Sequence, residues 1–207
     1  MTTPLDDSPC DHIAVEHIEA LLDVSGAVFE DLFSSRFLRP LVAERLRAGL
    51  PPLPQNQATE VHELFKFVCM SSNEERAELS RYICVLMNHE AVRTTTNGEL
   101  LRALADRCSE DTIMYLVCGQ SFPDLRSFEV LSSITCENIE LYATQVDAWL
   151  LGSLPQAYRY RLALRLRPDE QLFSLPLPGD EHDREAFFDL ATTACGLWKR
   201  GNQTCNP

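Results

Sequence analysis

Apolar residues recur along this chain at intervals of three and four, the spacing that gathers side chains on one face of an α-helix. Ile13, Ile18, Leu21 and Leu22 make a first stripe. Ser8-Pro9 opens it: Ser8 is placed to cap, Pro9 suits the first helical position, and Asp11 complements the positive helix end. Val28, Phe29, Leu32 and Phe33 continue after Gly26. Pro40 restarts the chain, Leu41, Val42 and Leu46 follow, and Gly49 is placed to end that helix. Pro51-Pro-Leu-Pro54 with Gln55-Asn-Gln57 then breaks the pattern as an extended, proline-rich linker.

Beyond the linker the stripes lengthen. Val61, Leu64, Phe65, Val68 and Cys69 form one, and Leu79, Tyr82, Ile83, Leu86 and Met87 the next. The latter is preceded by Ser72 and Glu75 at capping-box spacing. Thr96 and Glu99 repeat that spacing before Leu100, Leu101, Leu104 and Cys108, and Ser109 is placed to cap a helix carrying Ile113, Leu116 and Val117. Val130, Leu131 and Ile134 follow Pro123, then Ile139, Leu141, Tyr142, Val146, Trp149 and Leu150, closed by Gly152. Pro176-Leu-Pro178-Gly179 makes a turn-rich break, and a last helix carries Phe187, Leu190, Ala191, Ala194 and Trp198.

One segment, 158–167, alternates at strand period, with Arg159, Arg161, Arg165 and Arg167 on one side and Tyr158, Tyr160, Leu162, Leu164 and Leu166 on the other. Its Ala, Leu and Arg are strong helix formers, Ser153-Leu-Pro155 is a good helix opening, and no partner strand is visible elsewhere. A helix is therefore expected there, with a short strand as the alternative. The fold class predicted is all-α, an irregular globular arrangement of eight to ten helices. Its expected organisation is an N-terminal helical arm or subdomain over 1–50, the linker at 51–57 and a main helical body over 58–207.

Charge narrows the range of partners. The 207 residues carry 31 acids against 18 Lys and Arg, a net of −13, which disfavours nucleic acid and a polybasic attachment to anionic lipid. The charge is also segregated. Residues 1–31 hold eight acids and no Lys or Arg, residues 169–190 hold seven acids and one Arg, and between them stand the four guanidiniums of 159–167. Two readings of that cluster stay open: it offsets the acidic ends of the same molecule, or it meets a partner's acidic surface, since Arg is enriched at interface hot spots. On the second reading, changing Arg161 and Arg165 to Glu is expected to weaken partner capture and leave stability nearly intact.

The sequence offers little to catalysis. The phosphate-cradling and nucleophile-elbow motifs are missing, and the glycines sit singly, mostly where helices end. His62-Glu63 begins like a zinc-protease helix, but Lys66 or Phe67 stands where its second histidine belongs. His12, Glu16 and His17 read as a solvated helix face, and His89 and His182 stand alone. Asp180, Glu181 and Asp183 read as capping charges before the last helix. The eight cysteines contain no C-x-x-C pair. The first ten residues lack an export signal, so a reducing cytoplasm is expected and disulfides are not. Cys69, Cys84, Cys108 and Cys118 read as small packed hydrophobes, and Cys205 as an exposed thiol. No enzyme, cofactor or metal is expected.

Two stretches resemble the SctK family (YscK- and MxiK-like) of bacterial type III secretion systems. Leu79-Ser-Arg-Tyr-Ile-Cys-Val-Leu-Met-Asn-His-Glu-Ala-Val-Arg93 is similar to the family's helical segment ending in Glu-Ala-Ile-Arg. Leu100-Leu-Arg-Ala-Leu and Asp111-Thr-Ile-Met-Tyr-Leu-Val follow it at similar spacing. Ala148-Trp-Leu-Leu-Gly-Ser-Leu-Pro-Gln-Ala-Tyr-Arg-Tyr-Arg-Leu-Ala-Leu-Arg-Leu-Arg-Pro168 is similar to its Trp-Leu, Pro-Gln-Ala and Arg-Leu-x-Leu-Arg-Leu-Pro run. The resemblance covers roughly 79–168 and implies an all-α, cytoplasmic, non-enzymatic adaptor of the sorting platform. Such an adaptor bridges the cytoplasmic domain of the inner-membrane ring protein (SctD-like) to the pod protein (SctQ-like), and its partners hold it at the inner membrane without insertion of its own. The competing readings are a secretion-associated chaperone or regulator that binds effectors or a transcription factor, and an enzyme using a lone cysteine.

Overall fold

The computed structural model describes residues 2–24, 27–54, 58–118, 122, 123, 125, 127, 128, 131, 134–170 and 172–204. The fold is all-α. Among the described residues there are thirteen helices and no strands: α1 (Pro4–Asp7), α2 (Pro9–His12), α3 (Val15–Leu22), α4 (Ala27–Ser34), α5 (Arg39–Ala48), α6 (Thr59–Met70), α7 (Asn73–Met87), α8 (His89–Thr94), α9 (Gly98–Cys108), α10 (Glu110–Val117), α11 (Cys136–Ser153), α12 (Gln156–Arg165) and α13 (Glu181–Thr204). Three of them are single-turn or barely longer pieces, which is why the count exceeds the eight to ten read from the stripes. The ambiguous segment is helical from Gln156 to Arg165, and extended backbone begins at Leu166. Gly26, Gln55, Asn56, Gln57, Val130 and Cys205 lie outside the described residues.

The chain divides into two compact units. One gathers Met1–Gln57, Phe65–Met70 and Leu154–Leu172, and the other Ala58–Leu64, Ser71–Ser153 and Phe173–Pro207.

In the first unit Leu5, Cys10, Ile13, Ile18, Phe29, Val42, Leu46 and Leu164 form the core, with Leu22, Phe33 and Leu50 packed on its margin. The first predicted helix is broken in two here. Ile13 is extended and ends α2, and the Ala14 N–H donates to the Leu164 carbonyl at 2.7 Å. The His17 ring donates to the Leu166 carbonyl at 2.9 Å. These two donors take up carbonyls that the end of α12 cannot satisfy internally. Pro9 occupies the first helical position as expected, but Ser8 makes no side-chain cap. A reciprocal capping box between Thr3 and Asp6 opens α1 instead.

In the second unit α7 packs against α11 and α13. Leu79, Ile83, Leu86, Val146 and Phe187 are buried there, and Phe128, Tyr142 and Trp149 complete an aromatic cluster around Phe187. The Ser72–Glu75 box forms as read: Glu75 N–H donates to Ser72 Oγ at 3.1 Å, and Ser72 N–H to Glu75 Oε2 at 2.8 Å. The Thr96–Glu99 box does not form. Asn97 caps α9 in its place, its Oδ1 accepting from Glu99 and Leu100 N–H, because an amide one residue nearer reaches the same donors. Ser109 caps α10. Asp180 and Asp183 cap α13 reciprocally, as capping charges should.

The glycines correct another expectation. Gly152 lies inside α11, and a Cβ there would stand 1.8 Å from the Leu175 carbonyl oxygen. It permits a backbone crossing. Gly196 lies inside α13 with open space around its Cα. Gly196→Ala should therefore raise stability by about 0.5–1 kcal/mol through helix propensity alone, read as a higher thermal midpoint; an unchanged or lower midpoint would contradict it.

Candidate protein-docking surface

The structure distributes the four arginines of 159–167 over different environments. Arg161 and Arg165 are four apart on α12 and share its inward face with Tyr158 and Leu162. Arg161 is 3% exposed. Its Nη2 and Nε donate to Asp6 Oδ1 at 2.5 and 3.1 Å, and Nη1 donates to the Pro51 and Ala157 carbonyls at 2.9 and 3.0 Å. Arg165 donates to the Cys69 carbonyl, in the last turn of α6, where the helix dipole favours a cation. Arg159 is exposed. Arg167 is exposed beyond the helix end and lies 3.9 Å from Glu170.

The cluster is thus no common face. Arg161 is turned into the first unit and neutralises an acid of the chain's own N-terminus, the intramolecular alternative read from the charge pattern. The expectation that Arg161→Glu leaves stability intact is corrected for that reason: the carboxylate it would introduce faces Asp6.

Asp6 is the other half of the pair. Burial pushes its carboxyl up, but hydrogen bonds from Arg161 and Thr3 outweigh burial and hold it below its ordinary value of 3.8. Arg47 adds two charge-assisted bonds, to the Asp6 and Asp7 carbonyls at 2.7 and 2.6 Å, and Arg39 pairs with Asp11. Three arginines therefore tie the acidic N-terminus to the body of its unit.

Burial pushes the Cys69 thiol up to about 11 and the Cys84 and Cys108 thiols up to about 12, and it raises Cys10 and Cys195 as well. That is the reverse of an activated thiolate. Cys118 is exposed at the end of α10, not packed as its stripe suggested, and no disulfide joins the described cysteines. His12 and Glu16 fall on different helices either side of the Ile13–Ala14 break, so they do not form one face. His62 is buried on α6, and His89 stacks on Phe122 with ring centroids 4.6 Å apart. Among the described residues no three His, Cys, Asp or Glu side chains gather as metal ligands.

What the first unit does present is an apolar hollow. Leu21 and Leu22 of α3, Leu46 of α5, Leu50, and Tyr160 and Leu164 of α12 line a space of about 230 Å³, with Arg45 at its edge. Gly49, Leu50 and Tyr160 also line a neighbouring space of about 620 Å³ bordered by Pro51, Pro52, Pro54 and Pro155. Tyr160 is 38% exposed, and neither its hydroxyl nor the Arg45 guanidinium has a protein partner among the described residues. Leu41 of α5 and Leu38, the residue before that helix, are also exposed. Sequence reading counted Tyr160 only as one apolar member of an alternating run and passed over Arg45. A helical projection of 156–165 separates Tyr160 from the inward Tyr158–Arg161–Leu162–Arg165 face and was the available signal.

No family model, curated protein or solved structure matches the chain. No helix of the described residues is long and apolar enough to cross a membrane.

Proposed function

We propose that this chain is a non-enzymatic assembly adaptor of the SctK type in a bacterial type III secretion system, joining an SctD-like ring protein to an SctQ-like pod protein at the cytosolic face of the inner membrane. The observation that carries the reading is the resemblance of 79–93 and 148–168 to that family. It is supported by an all-α body whose buried thiols are deactivated and whose first unit exposes an apolar hollow edged by Tyr160 and Arg45. Tyr and Arg are the residue types that dominate interface hot spots.

The test is co-expression of the tagged chain with the SctD-like cytoplasmic domain and the SctQ-like protein, each alone and together. An adaptor elutes with both and stays bound once secretion begins. Release or degradation at the onset of secretion would instead identify a regulator, and elution without either protein would reject the family reading.

A further inference from the structure

Resting on the adaptor reading only for the idea that a protein docks here, we propose that the hollow between α3, α5 and α12 receives an amphipathic helix of a partner, with leucine-type anchors on the hollow's floor and a carboxylate on Arg45.

The chemistry of the site selects that occupant. Five leucines, Leu21, Leu22, Leu46, Leu50 and Leu164, line the space, so apolar side chains gain by entering it. Arg45 is the one charged residue among those lining either space. It is exposed and, among the described residues, unpaired, in a chain whose acids outnumber its Lys and Arg by 31 to 18. An isolated cation beside an apolar floor discriminates by charge: a partner's carboxylate gains a bond there and a partner's lysine is repelled. The same excess of acids disfavours an anionic membrane as the occupant.

Secondary structure narrows the occupant further. The described residues form no strand, so no sheet edge is offered to an extended peptide. Among the described residues Tyr160 is the only aromatic lining the hollow, whereas proline-rich ligands need an aromatic-lined groove. Helix-in-groove docking remains. Leu38, Leu41, Arg45 and Ala48 advance at three- and four-residue steps on the outer side of α5, and all four are exposed. From Leu38 to Ala48 a helix runs about 15 Å, the length of roughly three turns of a partner helix laid alongside.

The test uses the full chain and two fluorescent peptides of equal length, each with leucines at helical spacing. One carries glutamate and the other lysine beside the apolar stripe. Anisotropy titration is expected to give about tenfold tighter binding of the glutamate peptide. Arg45→Glu should reverse that preference without lowering the thermal midpoint, and Tyr160→Ala should weaken both peptides. Leu141→Glu, at a residue 77% exposed on α11 of the other unit, should change nothing. Equal binding of the two peptides, no binding, or a preference that survives Arg45→Glu would overturn the proposal. So would self-association of the wild-type chain that Arg45→Glu abolishes, since a second copy would then be the occupant. Because the peptides replace the secretion proteins, this result is independent of the adaptor reading. A chain that selects the glutamate peptide but binds neither secretion protein refutes only the family assignment. One that binds both proteins but neither peptide refutes only the hollow.

Discussion

Gly152→Ala should destabilise this protein by about 3 kcal/mol or more, the upper range of overpacking penalties. For a chain of this size that corresponds to a fall of about 6–12 °C in the thermal midpoint. The new Cβ would stand 1.8 Å from the Leu175 carbonyl oxygen and 2.6 Å from its carbon. Neither atom is the far end of a flexible side chain that can rotate away. The same backbone segment is held in place, since Leu175 N–H donates to the Ala148 carbonyl at 2.9 Å, one turn earlier on α11. Relief therefore means breaking that bond or bending the helix. The contrast with Gly196→Ala, the same chemical change inside a helix with open surroundings, isolates the cause. If calorimetry gave the two variants shifts of the same sign, close approach at Gly152 would not be what requires glycine.

The second large effect is at Arg161. Arg161→Glu removes the guanidinium that Asp6 and the Pro51 carbonyl depend on, and it sets a second carboxylate against the first. Breaking a buried pair from one side costs about 3–5 kcal/mol. The thermal midpoint should fall by about 6–20 °C. Asp6→Asn should cost less, because the amide keeps an oxygen for Arg161 and Thr3 while losing the charge.

The pair also carries a pH dependence. The folded value of Asp6 lies below its ordinary 3.8. A carboxyl depressed by folding contributes its stability in full above the unfolded value and loses it as pH falls through the folded one. The wild-type chain should therefore lose part of its stability on acidification below about pH 4, and Asp6→Asn should lose correspondingly less over that window. Asp147 works against this trend. Burial raises its carboxyl despite the hydrogen bond from Arg76, so its own contribution to stability grows as pH falls toward 3.8. An acid limb that Asp6→Asn leaves unaltered would mean that the Arg161 pair is not its source.

Local pattern carried most of the helices because their faces are written at helical period. Leu79–Met87, Ile139–Leu150 and Phe187–Trp198 each read as one stripe, and each is a buried face except at Leu141, which is exposed. Boundaries were legible where the cap was local, as at Ser72 and Glu75, and missed where two neighbouring residues competed, as at Thr96 and Asn97. The break at Ile13–Ala14 was illegible because its cause is a bond to Leu164, far along the chain.

The division of the arginine cluster was illegible for the same reason. Its composition was plain, but its division into inward and outward guanidiniums depends on helical geometry and on Asp6, 155 positions away. Arg45 and Tyr160 come from helices distant in sequence, so only folding sets them on one hollow.

The adaptor role is most directly tested by the mass of what the purified chain assembles. It should be mixed with the SctD-like cytoplasmic domain and the SctQ-like protein and separated by size exclusion with light scattering. An adaptor gives one species whose mass accounts for all three proteins, and that species does not form when the chain is omitted. Two separate binary complexes that never combine, or a chain that elutes at its own mass beside both proteins, would contradict the proposal.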